Sequence, residues 1–206
     1  MLGIASASAQ ASDSPHWSVQ IGPAHIAFHE RANFTMAGSP VPGAGVKVQK
    51  NTTLAAEISY WFSPSLSAGL TLGIPARARV VGAGDAQAFG ELGAVRYGPL
   101  GLTARYTFNA GGRWHPYIGA GITYYAVFKE YDAFVKDVKV DNAFGSIVQL
   151  GLQYDIDSRL GLFIDTKKLF VKATVMGNVP AMGGAPAKAD VRLDPLGIHA
   201  GLSYRF

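Results

Sequence analysis

Cysteine is absent from this sequence, which excludes a disulfide framework, a thiolate nucleophile and a zinc–thiolate site. Charge is scarce: 16% of residues are Asp, Glu, Lys or Arg, against about 25% in soluble domains. Much of the surface therefore need not face water. Long apolar runs are missing too. Although 49% of the residues are hydrophobic, no stretch approaches the ~20 that a membrane helix requires. Sustained helical periodicity is lacking. The net charge of +4 is scattered, with no basic stripe carrying interleaved aromatics, so nucleic acid is not expected as a partner. The Gly-rich stretches at 43–45, 82–84 and 119–121 lack the Lys-Ser/Thr or following helix of a phosphate loop.

What the sequence does contain is strict alternation. Over the last ten residues, Ile198, Ala200, Leu202, Tyr204 and Phe206 alternate with Gly197, His199, Gly201, Ser203 and Arg205. That is the period of a β-strand facing two different solvents. Apolar content without an apolar run fits a barrel in which every second residue meets lipid. Eight such segments lie near 17–29, 53–62, 66–80, 93–108, 114–128, 143–156, 159–175 and 190–206. Three connections are short and rich in turn formers: 63–65, 109–113 and 157–158. Four are long: 30–52, 81–92, 129–142 and 176–189. Short turns at one end and long loops at the other predict an all-β fold, an eight-stranded antiparallel up-and-down transmembrane β-barrel of the bacterial outer membrane. An ordinary half-buried edge strand is the plainer reading of the terminal segment alone.

Parity assigns the faces. Leu54, Ala56, Ile58 and Leu66, Ala68, Leu70 read as lipid-facing, as do Leu102, Ala104 and Val148, Leu150, Leu152. Trp17, Tyr60, Phe62, Tyr106, Phe108, Trp114, Tyr154, Tyr204 and Phe206 gather beside the short turns as a periplasmic aromatic girdle. The lumen inventory is Glu57, Thr71, Arg105, Gln149, Gln153, Asp165 and Lys167, which reads as a polar plug, since buried charges need partners. Strand excess should stand above the membrane, carrying Arg77, Arg79, Lys167 and Lys168. Lys168 falls on the nominal lipid face, which suggests a bulge or an interfacial position.

Residues 1–11 read as the tail of a secretory signal, with Ala9-Gln10-Ala11 resembling a cleavage site; a disordered Ala/Ser-rich tail is the alternative. Residues 12–206 form the barrel with four extracellular loops. Catalysis has little support, because no Ser and acid fall beside His16, His25, His29, His115 or His199 in a convincing pattern. His25 and His29 share a face but stand ~13 Å apart, too far for one metal ion. No catalytic residue, metal or cofactor is expected.

The chain resembles the outer-membrane protein W family, including its alkane-uptake members. The carrying residues run in order along the barrel. They include Asn51-Thr52-Thr53-Leu54, Gly73-Ile74-Pro75-Ala76-Arg77-Ala78, Tyr97-Gly98-Pro99 and Pro116-Tyr117-Ile118-Gly119-Ala120-Gly121. Gln149-Leu150-Gly151-Leu152-Gln153-Tyr154, Val191-Arg192-Leu193-Asp194-Pro195 and Tyr204-Arg205-Phe206 complete the series. The Ile-Pro-Ala-Arg-Ala and Tyr-Gly-Pro stretches look more like the alkane-uptake branch. The resemblance implies passive uptake of small hydrophobic molecules through a narrow lumen blocked toward the periplasm, with sideways exit through the wall. It also implies outer-membrane lipid as surroundings and barrel-assembly machinery as a partner, read through the C-terminal strand. The family's apolar constriction falls near Thr71 and Lys167, polar here, so either the gate lies elsewhere or the substrate is less hydrophobic.

Eight strands leave an interior that side chains largely fill, which argues against a wide ion-conducting pore. Pro cannot donate to a β-ladder. Pro75 and Pro99, on adjacent strands, could leave a wall segment unpaired and so mark the lateral exit; a pair of structural bulges that re-aim the loops is the equal alternative. A structural or adhesive barrel acting through its extracellular loops is the alternative function.

Overall fold

Pro, Gly and alternating parity divide the chain into strands much as expected, and the computed structural model describes residues 16–109 and 111–206. The proposed signal residues 1–11 lie outside them. Fourteen strands are present among the described residues. In chain order they are β1 (Trp17–Ala27), β2 (Arg31–Met36), β3 (Ser39–Pro40), β4 (Ala44–Val48), β5 (Asn51–Trp61), β6 (Leu66–Gly73) and β7 (Ala76–Gly84). There follow β8 (Glu91–Thr107), β9 (Trp114–Asp132), β10 (Lys136–Val140), β11 (Ala143–Asp155), β12 (Leu160–Val179), β13 (Ala185–Arg192) and β14 (Leu196–Arg205). Two 3-10 turns, Gln87–Phe89 and Pro180–Met182, sit in the upper connections.

Eight of these close a ring, β1–β5–β6–β8–β9–β11–β12–β14 and back to β1, every neighbour antiparallel. Closure leaves no unpaired edge in the lipid zone, where an unpaired backbone group has no water to bond. The closing seam is tight. A Cβ on Gly22 would meet the Ala200 carbonyl oxygen at 1.9 Å, and one on Gly201 would meet that of Ile21 at 2.0 Å. Only glycine allows the first and last strands to approach so closely.

The ring is inside-out relative to a soluble barrel. Ile21, Ile58, Leu70, Leu102, Ile118, Leu150, Leu162 and Leu202 stand exposed on the outer face, while Gln20, Glu57, Arg105, Gln149 and Asp165 are buried within. Parity thus holds on β5, β6, β8 and β11. The girdle residues cluster at the short-turn end: Trp17–Tyr60, Tyr60–Phe62, Tyr106–Phe108 and Tyr204–Phe206 meet edge-on 5.0–5.2 Å apart, and Trp114–Tyr154 pack tilted at 4.6 Å. The turn after β11 is closed by Asp157, whose carboxylate accepts the N–H groups of Arg159 and Leu160 and is held below the usual carboxylate range by them.

Three expectations are corrected at the opposite end. The segment expected at 66–80 is not one strand: Pro75 interrupts it between β6 and β7. The segment expected at 190–206 breaks at Leu193–Pro195, where Asp194 takes a positive φ of 34° before a proline that cannot continue the ladder. The long connections 30–52 and 176–189 are not irregular; they supply β2, β3, β4 and β13, which extend the wall upward by pairing with β7 and β12. At 20 residues, β12 spans about twice the ~9–11 needed to cross a bilayer.

Candidate functional site

The lumen divides by height into a polar floor, a small middle cavity and a wider apolar chamber. Inward parity builds the floor. Glu57 on β5, Arg105 on β8, Gln149 on β11, and Asp165 and Lys167 on β12 meet at one level. Arg105 Nη1 lies 3.2 Å from Glu57 Oε1, and Lys167 Nζ lies 2.9 Å from Glu57 Oε2 and 2.8 Å from Asp165 Oδ1. Glu57 is 0% and Arg105 2% exposed, and with Asp165 and Lys167 they form a buried, charge-balanced set of two anions and two cations. Neutral donors complete the set. Thr71 donates to Glu57 at 2.9 Å, Tyr117 to Asp165 at 3.0 Å and Gln149 to Asp165 at 2.6 Å. Gly151 lets the Tyr117 ring in: a Cβ there would lie 2.2 Å from it.

A second layer lies below. The Arg105 guanidinium sits over the rings of Trp61 and Tyr117, at 5.1 and 4.7 Å. Gln20 donates to Gln153 at 3.2 Å, and Gln153 to Asp155 at 2.8 Å. Asp155 Oδ2 also holds His115 Nε2 at 2.9 Å and Arg205 Nη1 at 3.0 Å. Of the seven residues expected in the lumen, Glu57, Thr71, Arg105, Gln149, Asp165 and Lys167 meet in the upper layer, and Gln153 lies in the layer below. Lys167 pairs across the sheet with Gln149, and inward parity on β12 sets it beside the two carboxylates. Lys168 stays on the outer side, its ammonium donating to the Asp194 carbonyl.

Above the floor, a cavity of about 70 Å³ is lined by Thr53, Thr71, Gly73, Pro99, Thr123, Lys167 and His199, among others. Its roof is an aromatic waist. Tyr97 and Tyr125 stack at 5.5 Å, with Phe28 edge-on to Tyr97 at 6.1 Å. Asn51 Nδ2 donates to the Tyr97 hydroxyl at 3.2 Å. Beyond the waist a cavity of about 130 Å³ is walled by Val46, Val80, Val95, Val127, Val175 and Val191 and their neighbours; Tyr125 borders both cavities. An apolar cavity of roughly 150 Å³ is known to hold benzene, so the upper chamber is of the size for a small apolar body. The waist and chamber were missed in the sequence. Extending inward parity up β8 and β9, from Thr103 to Tyr97 and from Tyr117 to Tyr125, would have found the two tyrosines.

The wall is broken beside the middle cavity. Pairing of β6 with β8 runs to Leu72 opposite Leu100; pairing of β7 with β8 resumes at Ala76 opposite Tyr97. Gly73, Ile74 and Pro75 therefore face only Gly98 and Pro99, three residues against two, without ladder pairs. The far side is tied, since Ile74 N–H donates to the Leu54 carbonyl at 2.9 Å. The ladder of β9 is irregular at the same height, where Phe128 bulges out and is exposed.

An outward apolar face, a dry polar interior, aromatic residues at the short-turn rim and a closed ring define an outer-membrane β-barrel. Residues 16–206 match the family model described as OmpW family, and the chain belongs to that family. It is located in the bacterial outer membrane. Similar proteins include the dibenzothiophene metabolism operon protein PahQ of Pseudomonas aeruginosa, 33% identical over 90% of this chain and 86% of that one. Outer membrane protein AlkL of Ectopseudomonas oleovorans is 28% identical over 86% of this chain and 76% of its own length. Among solved structures, OprG from Pseudomonas aeruginosa superposes with a TM-score of 0.86 at 22% identity, covering 92% of this chain and 95% of its own.

Proposed function

We propose that this barrel takes up small hydrophobic molecules passively from outside and releases them sideways into the membrane between Pro75 and Pro99. One observation supports the reading: two cavities, divided by the Tyr97–Tyr125 stack, lie above a floor closed by four charges, and the lower one reaches Gly73 and Pro99 in a wall segment without ladder pairs. Downward passage would tear apart buried ion pairs, each costly to break. Sideways passage meets a gap that already lacks hydrogen bonds. The names of the relatives point the same way, since PahQ is a dibenzothiophene metabolism operon protein.

A reversible clamp tests the exit. The chain has no cysteine of its own, so Gly73→Cys with Pro99→Cys places one engineered pair across the gap. Uptake of a hydrophobic probe into cells should be lost when the pair is oxidised and restored by reductant. Replacing both prolines with residues that restore pairing should abolish uptake as well. Full uptake with the clamp shown to be closed overturns the lateral exit.

A further inference from the structure

Among the described residues, His199 alone has two buried side-chain polar atoms that both lack a hydrogen-bond partner. It projects from β14 into the middle cavity, opposite Asp165 in the ladder. It is 4% exposed, and neither ring nitrogen has a hydrogen-bond partner. Phe163 packs edge-on against its ring at 4.6 Å, fixing its plane without satisfying its nitrogens. The Ala55 backbone on β5 lies near the ring and makes at most a contact outside good hydrogen-bond geometry. A neutral imidazole offers one donor and one acceptor. Buried polar groups are nearly always paired, so this one is poised for something that enters the cavity.

From this we infer that His199 is a specificity-determining residue which recognises a single hydroxyl or carbonyl oxygen at one end of an otherwise apolar substrate. This inference rests on the uptake reading above. The chemistry of the cavity sets the class. Lys167 borders the same space and has two of its three ammonium protons committed, to Glu57 and Asp165. A third proton is left for a ligand oxygen. The charges facing His199 are Lys167, Asp165 and Glu57, and with Arg105 they cancel, two against two. No net positive charge draws a carboxylate. An uncharged oxygen fits, whereas a pure hydrocarbon leaves both imidazole nitrogens unpaired. The apolar body of such a molecule lies toward Tyr125, the residue shared with the upper chamber.

The test uses the full chain in lipid and a matched pair of probes, 1-octanol and octane. In nanodiscs, octanol should shift the side-chain nitrogen signals of His199, and octane should leave them unchanged. In vesicles with a lipopolysaccharide outer leaflet, His199→Leu should lower the octanol-to-octane uptake ratio about tenfold, the scale of one unmet buried hydrogen bond. His199→Gln, which keeps a donor and an acceptor, should restore most of it. Equal losses for both probes in His199→Leu, or equal nitrogen shifts with both in the native chain, overturn the assignment while leaving uptake intact. Entry of neither probe above protein-free vesicles would instead refute the uptake reading, and the nitrogen shifts would still decide the role of His199.

Discussion

Removing the Lys167 ammonium should unbalance the floor, and the cost can be worked from the contacts. Glu57 and Asp165 contribute two negative charges; Arg105 and Lys167 contribute two positive ones. Lys167→Met takes the buried sum from zero to minus one. Glu57 would keep Arg105 at 3.2 Å and the Thr71 hydroxyl at 2.9 Å. Asp165 would keep only the neutral donors Tyr117 and Gln149. Breaking a buried pair from one side costs about 3–5 kcal/mol, and the remaining donors place this case near the lower end. Taking out Asp165 as well, with Asp165→Leu in the Lys167→Met background, leaves Glu57 with Arg105 and a neutral interior. The double variant should recover roughly 2 kcal/mol of the single loss, because neighbouring charges do not contribute additively. Equilibrium urea unfolding in lipid vesicles, followed by tryptophan emission, measures both; Trp61 lies against Arg105 and reports on the floor. A loss under about 1 kcal/mol for Lys167→Met, with the two substitutions simply additive, would mean that the four charges are independently hydrated and the floor is not closed.

Leu150 lies on the outer face near the middle of β11 and is 62% exposed. Leu150→Arg should destabilise the barrel by about 2–4 kcal/mol in bilayer unfolding titrations, whereas an aqueous-facing position would tolerate it. Gly201→Val drives a side chain into the Ile21 carbonyl at the closing seam; the fraction of barrel resisting unfolding in unheated electrophoresis samples should drop sharply. Deleting Phe206 removes its N–H bond to the Trp17 carbonyl and its contact with Tyr204. If the C-terminal strand is read by the assembly machinery, insertion in cells should fall far more than refolding of the purified chain in detergent.

The lower barrel was legible because two-residue periodicity there has one cause. Lipid outside and a packed polar lumen inside force opposite chemistry onto Leu102 and Thr103, or Leu150 and Gly151, so parity reads true for as long as strands cross the membrane. Higher up the inner face is apolar and the outer face carries charges such as Arg77, Lys172 and Lys188, so the contrast that parity depends on reverses. Ala76, Ala78, Val80 and Val95 therefore continue the sequence pattern while changing its meaning. Turn formers at 37–43 and 180–184 were read as loop for the same reason, although Gly38, Gly43, Gly183 and Gly184 supply the positive φ that hairpins of the upper sheet need. The wall break was accessible through Pro75 and Pro99 because proline has a single backbone consequence. His199 was not. Its position in the last strand was evident, but nothing in sequence tells that the neighbouring strands bring Ala24, Phe163 and charges already paired with one another to its ring.

Direction on the proposed path follows from comparing what each route must break. Leaving through the floor means separating Lys167 from two carboxylates and Arg105 from one, a cost of several kcal/mol per ion even after relaxation. Leaving through an intact ladder means opening bonds worth about 0.5–1.5 kcal/mol each in water, and more where lipid replaces water. At Gly73–Pro75 facing Gly98–Pro99 there is no ladder pair to open. Both prolines withhold a donor, and Phe128, displaced from its own ladder, lies beside them rather than across a hydrogen bond. The gap need not be wide when the barrel is at rest. It must only be the cheapest of the three ways out. Restoring pairing across the gap removes its advantage over the rest of the wall, which is why a change confined to two wall residues should silence transport while the floor, the waist and the chamber stay as they are.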